Sequence, residues 1–198
     1  DRTSRGLGDV YKRQDINRYS SSVLRQRIGV VLQDFHIFSG SILENIRLGN
    51  PATSRADAIR AADAVQATPF IERLPEGFDT HLNERGQNLS QGERQLLAFA
   101  RVLVADPEIL VLDEATASID TQTEAIVQSA LETLMQGRTA IIIAHRLQTI
   151  RSADRIVVLK HGEIREVGRH EELMAAKGIY TLYRSSNSKR SFNSKPGY

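Results

Sequence analysis

Four short runs of apolar, mostly β-branched residues set the limits on how this chain folds: residues 28–32 (IGVVL), 109–112 (ILVL), 140–143 (AIII) and 156–159 (IVVL). They are continuous rather than alternating, a pattern that suits strands buried on both faces. Helical stretches separate them. Residues 91–105 place Leu96, Phe99, Ala100, Leu103 and Val104 at helical spacing. Residues 121–136 do the same with Val127, Ala130, Leu131 and Leu134, ahead of a capping Gly137. Strands alternating with helices predict an α/β fold with a mostly parallel sheet. A long helical insertion lies between the first two runs. Ser54 and Asp57 open a helix through Ala58, Ile59, Ala62 and Val65, and Thr68 reads as a fresh N-cap with Pro69 at the first helical position. Residues 160–163 (KHGE) read as a hairpin turn, and no internal repeat is present.

The 198 residues, 40% hydrophobic and 25% charged, suffice for one sizeable core and a subdomain. The apolar runs are far too short to cross a bilayer. The Gly-rich, basic opening residues have no apolar stretch behind them, so no signal peptide is expected. With no cysteine, disulfides and thiolate metal sites are excluded and a reducing compartment is compatible. An isoelectric point near 9.0 points toward nucleic acid until the charges are located. Residues 1–14 carry four basic and two acidic groups, and residues 184–198 carry Arg184, Lys189, Arg190 and Lys195 with no acid. Against a total of +2, residues 15–183 therefore have a net charge of −4. The body is mildly acidic, and the tail from residue 185 has the composition of a solvated, unstructured segment. No nucleic-acid partner is expected.

Residues 109–114 (ILVLDE) carry the first chemical signal. An apolar strand ending in two acids puts Asp113 and Glu114 at the carboxyl edge of a parallel sheet, where α/β proteins bind ligands. The first acid suits Mg²⁺ and the second the polarising of an attacking water, although an exposed helix cap of the same composition reads equally well. Residues 89–95 (LSQGERQ) carry the second. Ser90 and Glu93 form an S-x-x-E capping box ahead of an amphipathic helix. The uncapped amides, the Ser90 hydroxyl and a close backbone approach at Gly92 would also make that helix end an anion site.

Residues 89–93 resemble the signature motif of the ABC ATPases (LSGGQ, with LSQGE a variant). Asp113 and Glu114 then match the Walker B acid and the catalytic glutamate. Ser118, Ile119 and Asp120 resemble the D-loop, with Ile where Leu is usual. His145 matches the switch histidine, and Gln33, after the first strand, the Q-loop glutamine. Residues 38–46 (FSGSILENI) are similar to the segment after the Q-loop in exporters with fused membrane domains. Glu84, Arg85 and Gly86 resemble the exporters' cross-talk loop, with Asn83 where Gly is usual, and residues 170–183 resemble their C-terminal helices. The resemblance covers roughly residues 15–184.

It implies a partial P-loop NTPase (RecA-like) core with a mostly parallel sheet and an inserted α-helical subdomain. Residues 15–33 and 91–184 would form the core, 34–90 the helical subdomain and signature approach, and 185–198 a polar tail. The implied substrate is ATP with Mg²⁺, the metal served by Asp113 and Gln33. Glu114, His145 and Gln33 would be catalytic; Ser90, Gln91, Gly92, Glu93 and Asp120 would bind nucleotide. The implied partners are a second ABC ATPase domain, met head to tail, and the transmembrane domains of the same transporter, at the cytoplasmic face of the membrane. A soluble ABC protein acting on ribosomes, an importer ATPase and a non-catalytic signature donor are the competing readings.

The family also requires a strand followed by G-x-x-x-x-G-K-S/T to cradle the phosphates, and the sequence contains no such string. An upstream aromatic for adenine stacking is missing too. Residues 1–14 do not fit the strand and turn usual before residues 15–16, so they are expected to be foreign sequence joined to a truncated frame. The chain alone is expected to be inactive.

Overall fold

The computed structural model describes residues 10–11, 14–15, 19–32, 36–48, 50–113, 121–144 and 147–183. Gln33, Glu114, Asp120 and His145 lie outside them, as does the tail from residue 185. The chain divides into two compact units, Asp1–Ile143 and Ala144–Tyr198, each described by itself.

In the first unit, β1 (Val10–Tyr11) pairs antiparallel with β2 (Gln14–Asp15). This pairing lies within and beside the segment that does not fit the family's motif. Ser20 caps α1 (Ser21–Arg27), its Oγ accepting from Val23 N at 3.4 Å. Three strands then form the central parallel sheet: β3 (Ile28–Val31), β6 (Ile109–Asp113) and β7 (Thr139–Ile143), in the order β3-β6-β7. Ile28 is in register with Ile109, and Ile109 with Thr139.

The long β3-to-β6 connection holds the helical insertion. A two-stranded antiparallel sheet of β4 (Gly40–Ser41) and β5 (His81–Leu82) brackets α2 (Ile42–Arg47), α3 (Arg55–Ala64) and α4 (Thr68–Ile71). Then comes α5 (Gln91–Ala105), ended by Asp106 in the left-handed conformation, and after β6 comes α6 (Thr121–Met135). Leu96, Leu97 and Phe99 of α5, Ile42 and Ile46 of α2, Val65, Ile71, Leu110 and Leu134 share one buried cluster.

Two expectations change here. Thr68 does not cap α4: Ala67 is the N-cap, no side chain caps it, and Thr68 Oγ1 is buried without a hydrogen-bond partner. The parallel strands are not buried on both faces. Leu110 and Leu112 are buried beneath the helices, but Val30, Ile141 and Ile143 on the other face are 49%, 58% and 54% exposed.

The second unit holds α7 (Leu147–Ser152), β8 (Ile156–Lys160), β9 (Glu163–Gly168) and α8 (His170–Ala176). The fourth apolar run is therefore an arm of an antiparallel hairpin with β9 rather than a member of the parallel sheet. Its two-residue turn has positive φ at both His161 (55°) and Gly162 (76°), the geometry that matches strand twist. Glu166 of β9 reaches the following helical residues 179–183, its carboxylate accepting from Ile179 N and, at 3.0 Å, from Tyr180 N.

Candidate nucleotide site

The signature segment folds as a capped helix start. Ser90 has extended φ/ψ (−64°, 164°). Its Oγ accepts from Glu93 N at 3.3 Å, while Ser90 N donates to Glu93 Oε2 at 2.8 Å. Both halves of the box are thus made. Arg73 pairs with the Glu93 carboxylate at 3.6 Å, and Gly92 is buried. The box satisfies Ser90 N and Glu93 N, but the first-turn amides of Gln91 and Gly92 have no acceptor within the helix. Those two amides and the positive end of a 15-residue helix are chemically suited to a phosphate oxygen.

Asp113 ends β6 at the carboxyl edge of the sheet, in register with Ile143 of β7, and is half-buried. A single carboxylate there fits Mg²⁺, which takes one or two protein carboxylates and fills its remaining positions with water and phosphate oxygens. Among the described residues no group of three or more metal-ligating acids or histidines occurs, and no hydrogen bond or ion pair joins Asp113 to residues 90–93. The strands on either side of Asp113 end at Val31 and Ile143, each two residues before Gln33 or His145. Because β3, β6 and β7 are adjacent and parallel, their carboxyl ends share one edge.

Residues 38–46 and 84–86, distant in sequence, are brought together. Arg85 N donates to the Ile37 carbonyl at 3.2 Å. Gly86 has φ +58°, and a Cβ there would lie 3.1 Å from Ile37 Cγ2, so a side chain would be both strained and crowded. Ser41 and Glu44 form a second capping box, with Ser41 N to Glu44 Oε2 at 2.7 Å. This S-x-x-E pattern is readable in the sequence beside the one at residue 90. The Ser41 amide, then its hydroxyl, hold the Glu44 carboxyl below its ordinary value.

Sequence reasoning misses three side chains here. Asn45, 1% exposed, accepts from Phe38 N and donates to the Phe38 and Ser41 carbonyls. Arg101 donates to the carbonyls of His36 and Asn45, and Arg94 to those of Leu89 and Gly86. An arginine on the inward side of an amphipathic helix is the available signal for Arg101.

The family model described as ABC transporter matches residues 3–117, a span that begins inside residues 1–14. A Bacillus subtilis protein named "Uncharacterized ABC transporter ATP-binding protein YknV" is 56% identical over 165 residues, 83% of this chain and 27% of that protein. The "ATP-dependent lipid A-core flippase" of Syntrophus aciditrophicus is 51% identical over 166 residues, 84% of this chain and 28% of its own length. Among solved structures, a bacterial Atm1-family ABC exporter with ATP bound superposes with a TM-score of 0.82 at 39% identity, covering 94% of this chain and 32% of that one. The chain thus spans under a third of the length of these relatives. With the fold, the signature helix and these matches in agreement, the chain belongs to the ABC transporter family and is an ATP-binding domain of the exporter type.

Proposed function

We propose that this chain is the ATP-hydrolysing region of an exporter, working at the cytoplasmic face of the membrane, with a site completed by a second domain of the same kind. The observation that carries the reading is the common sheet edge. Three adjacent parallel strands end there, and they lead to Gln33, to Asp113 and Glu114, and to His145. A triphosphate at such an edge is hydrolysed chiefly by positioning and electrostatics. Asp113 and Gln33 would hold Mg²⁺, which supplies charge neutralisation on the phosphate oxygens. Glu114 would accept the proton of the attacking water, and His145 would keep that carboxylate and the γ-phosphate in register. Ser90, Gln91, Gly92 and Glu93, with Asp120, would face nucleotide held mainly by the partner domain, so hydrolysis requires the head-to-tail dimer.

Residues 15–33 and 91–184 act as the ATPase core, and residues 34–90 as the helical subdomain. Closure and opening would reach the membrane helices through residues 35–46. The chain spans under a third of relatives that include a Bacillus subtilis "ATP-binding/permease protein", which supports a membrane part in the same protein. Within the 198 residues there is no G-x-x-x-x-G-K-S/T loop, so these residues alone neither hold ATP tightly nor hydrolyse it. A ribosome-acting ABC protein would suit the basic tail, but the joined segments 36–46 and 84–86 favour the exporter.

The test is Ser90→Arg in the intact transporter. The expected outcome is loss of hydrolysis with single-domain nucleotide binding retained, because the arginine obstructs closure across the interface. If Ser90 is only a helix cap, the variant instead loses about 1 kcal/mol of stability and stays active. A stable, fully active variant contradicts the composite site.

A further inference from the structure

Arg101 lies on α5, eleven residues beyond Ser90, or roughly 16 Å along the helix. Its half-buried guanidinium donates from all three nitrogens: Nε to the Asn45 carbonyl (2.9 Å), Nη1 to the His36 carbonyl (2.8 Å) and Nη2 to Asn45 Oδ1 (3.1 Å). The Phe38 ring centroid is 5.6 Å from its Cζ. Asn45 extends the network, with Nδ2 donating to the carbonyls of Phe38 (2.9 Å) and Ser41 (3.1 Å) and Oδ1 accepting from Phe38 N (3.0 Å). Seven residues earlier, on the same side of α5, Arg94 Nη1 donates to Leu89 O (2.6 Å) and Gly86 O (3.3 Å). One helix thus grips both the approach to Ser90 and the segment around Phe38. In that segment Phe38 and Leu48 are about half exposed while Ile37, Ile42 and Ile46 are buried.

We propose that Arg101 is a positioning residue for coupling. Acting through Asn45, it locks residues 36–48 to α5, so that an event at Ser90 moves the Phe38–Leu48 surface with the helix as one body. The planar fork is what allows three acceptors to be met at once. A lysine keeps the charge but presents a point donor that cannot hold His36 O, Asn45 O and Asn45 Oδ1 together. Burial lowers the Arg101 pKa from its ordinary value, yet an arginine remains charged at neutral pH.

This inference rests on the exporter reading, and hydrogen exchange on the intact transporter in lipid nanodiscs tests the two separately. The probe is a non-hydrolysable ATP analogue with Mg²⁺. In the wild type, exchange should slow at residues 90–94 and change at residues 36–48. In Arg101→Lys, and independently in Asn45→Asp, the response at 90–94 should persist while that at 36–48 falls several-fold, with the fold retained. A response at 36–48 as large as wild type in both variants, or none in the wild type, overturns the coupling role. Failure of both variants to fold also overturns it, because the two side chains would then be structural. A wild type with no response at residues 90–94 fails at the earlier step and overturns the nucleotide-site reading itself.

Discussion

The helical insertion buries most of its large apolar side chains, Phe38 and Leu48 being the half-exposed ones, whereas the parallel sheet beside it is covered on one face. Ile37, Ile42, Ile46, Val65, Ile71 and Leu82 are at most 1% exposed. Three of the helix starts around them, those of α2, α3 and α5, are closed off as well: Ser41, Ser54 and Ser90 each accept the backbone N–H three residues on. On the sheet, Leu110 and Leu112 are buried but Val30, Ile141 and Ile143 on the opposite face are about half exposed. The strands nevertheless carry isoleucine and valine on both faces. Their composition is that of a sheet covered twice, while their packing among the described residues is that of a sheet covered once. Continuous apolar strands therefore report what a sheet is built for, and the burial of each face has to be read from the structure.

The largest test of this contrast compares two residues of the same sheet. Leu110→Ala removes a fully buried side chain and should cost about 2–5 kcal/mol. Ile141→Ala, at a position 58% exposed, should cost under ~1 kcal/mol. Urea unfolding of the chain measures both, and equal costs break the comparison. Caps come next. Ser41→Ala and Ser54→Ala should each lower stability by about 1 kcal/mol, read as a lower melting temperature.

Acid sharpens the same distinction, because three carboxyls of the helical insertion sit below their ordinary values. Glu44 is lowered by the Ser41 amide, Asp57 by the Ser54 hydroxyl and Asp79 by Arg55. For a depressed carboxyl the unfolded chain takes up the proton first. The contribution is therefore complete above the ordinary values, 4.5 for Glu44 and 3.8 for Asp57 and Asp79, and drains away as pH falls through the lower folded ones. Helical signal should fall in that window, and Glu44→Gln should flatten part of the slope. Smallest is Thr68→Val. A true N-cap would lose about 1 kcal/mol, but a buried hydroxyl without a partner should give a melting temperature unchanged or slightly raised.

Much of this architecture is legible in the amino-acid sequence. The bounds of α5 follow from Ser90, Glu93 and the apolar spacing that ends before Pro107, and the β8–β9 turn follows from His161-Gly162. The signature and the Asp113 edge are legible because each is local. Thr68 misleads because the pair Thr-Pro fits either a cap followed by N1 or the first two helical positions, and the backbone at Ala67 chooses the second. Hidden altogether is the grip of Arg94 and Arg101 on main-chain carbonyls. An acceptor carbonyl leaves no mark on residue identity, and Arg101 meets Asn45 across 56 positions of chain.

The claim that Glu114 carries the chemistry of an exporter ATPase is tested most directly by Glu114→Gln in the intact transporter, measuring Mg²⁺-dependent ATP turnover beside labelled-ATP retention. The amide keeps the shape of the carboxylate and cannot accept the proton, so turnover should fall by about 10²–10⁴-fold while ATP is retained in a trapped dimer. Turnover near the wild-type rate, with no retained nucleotide, contradicts the account.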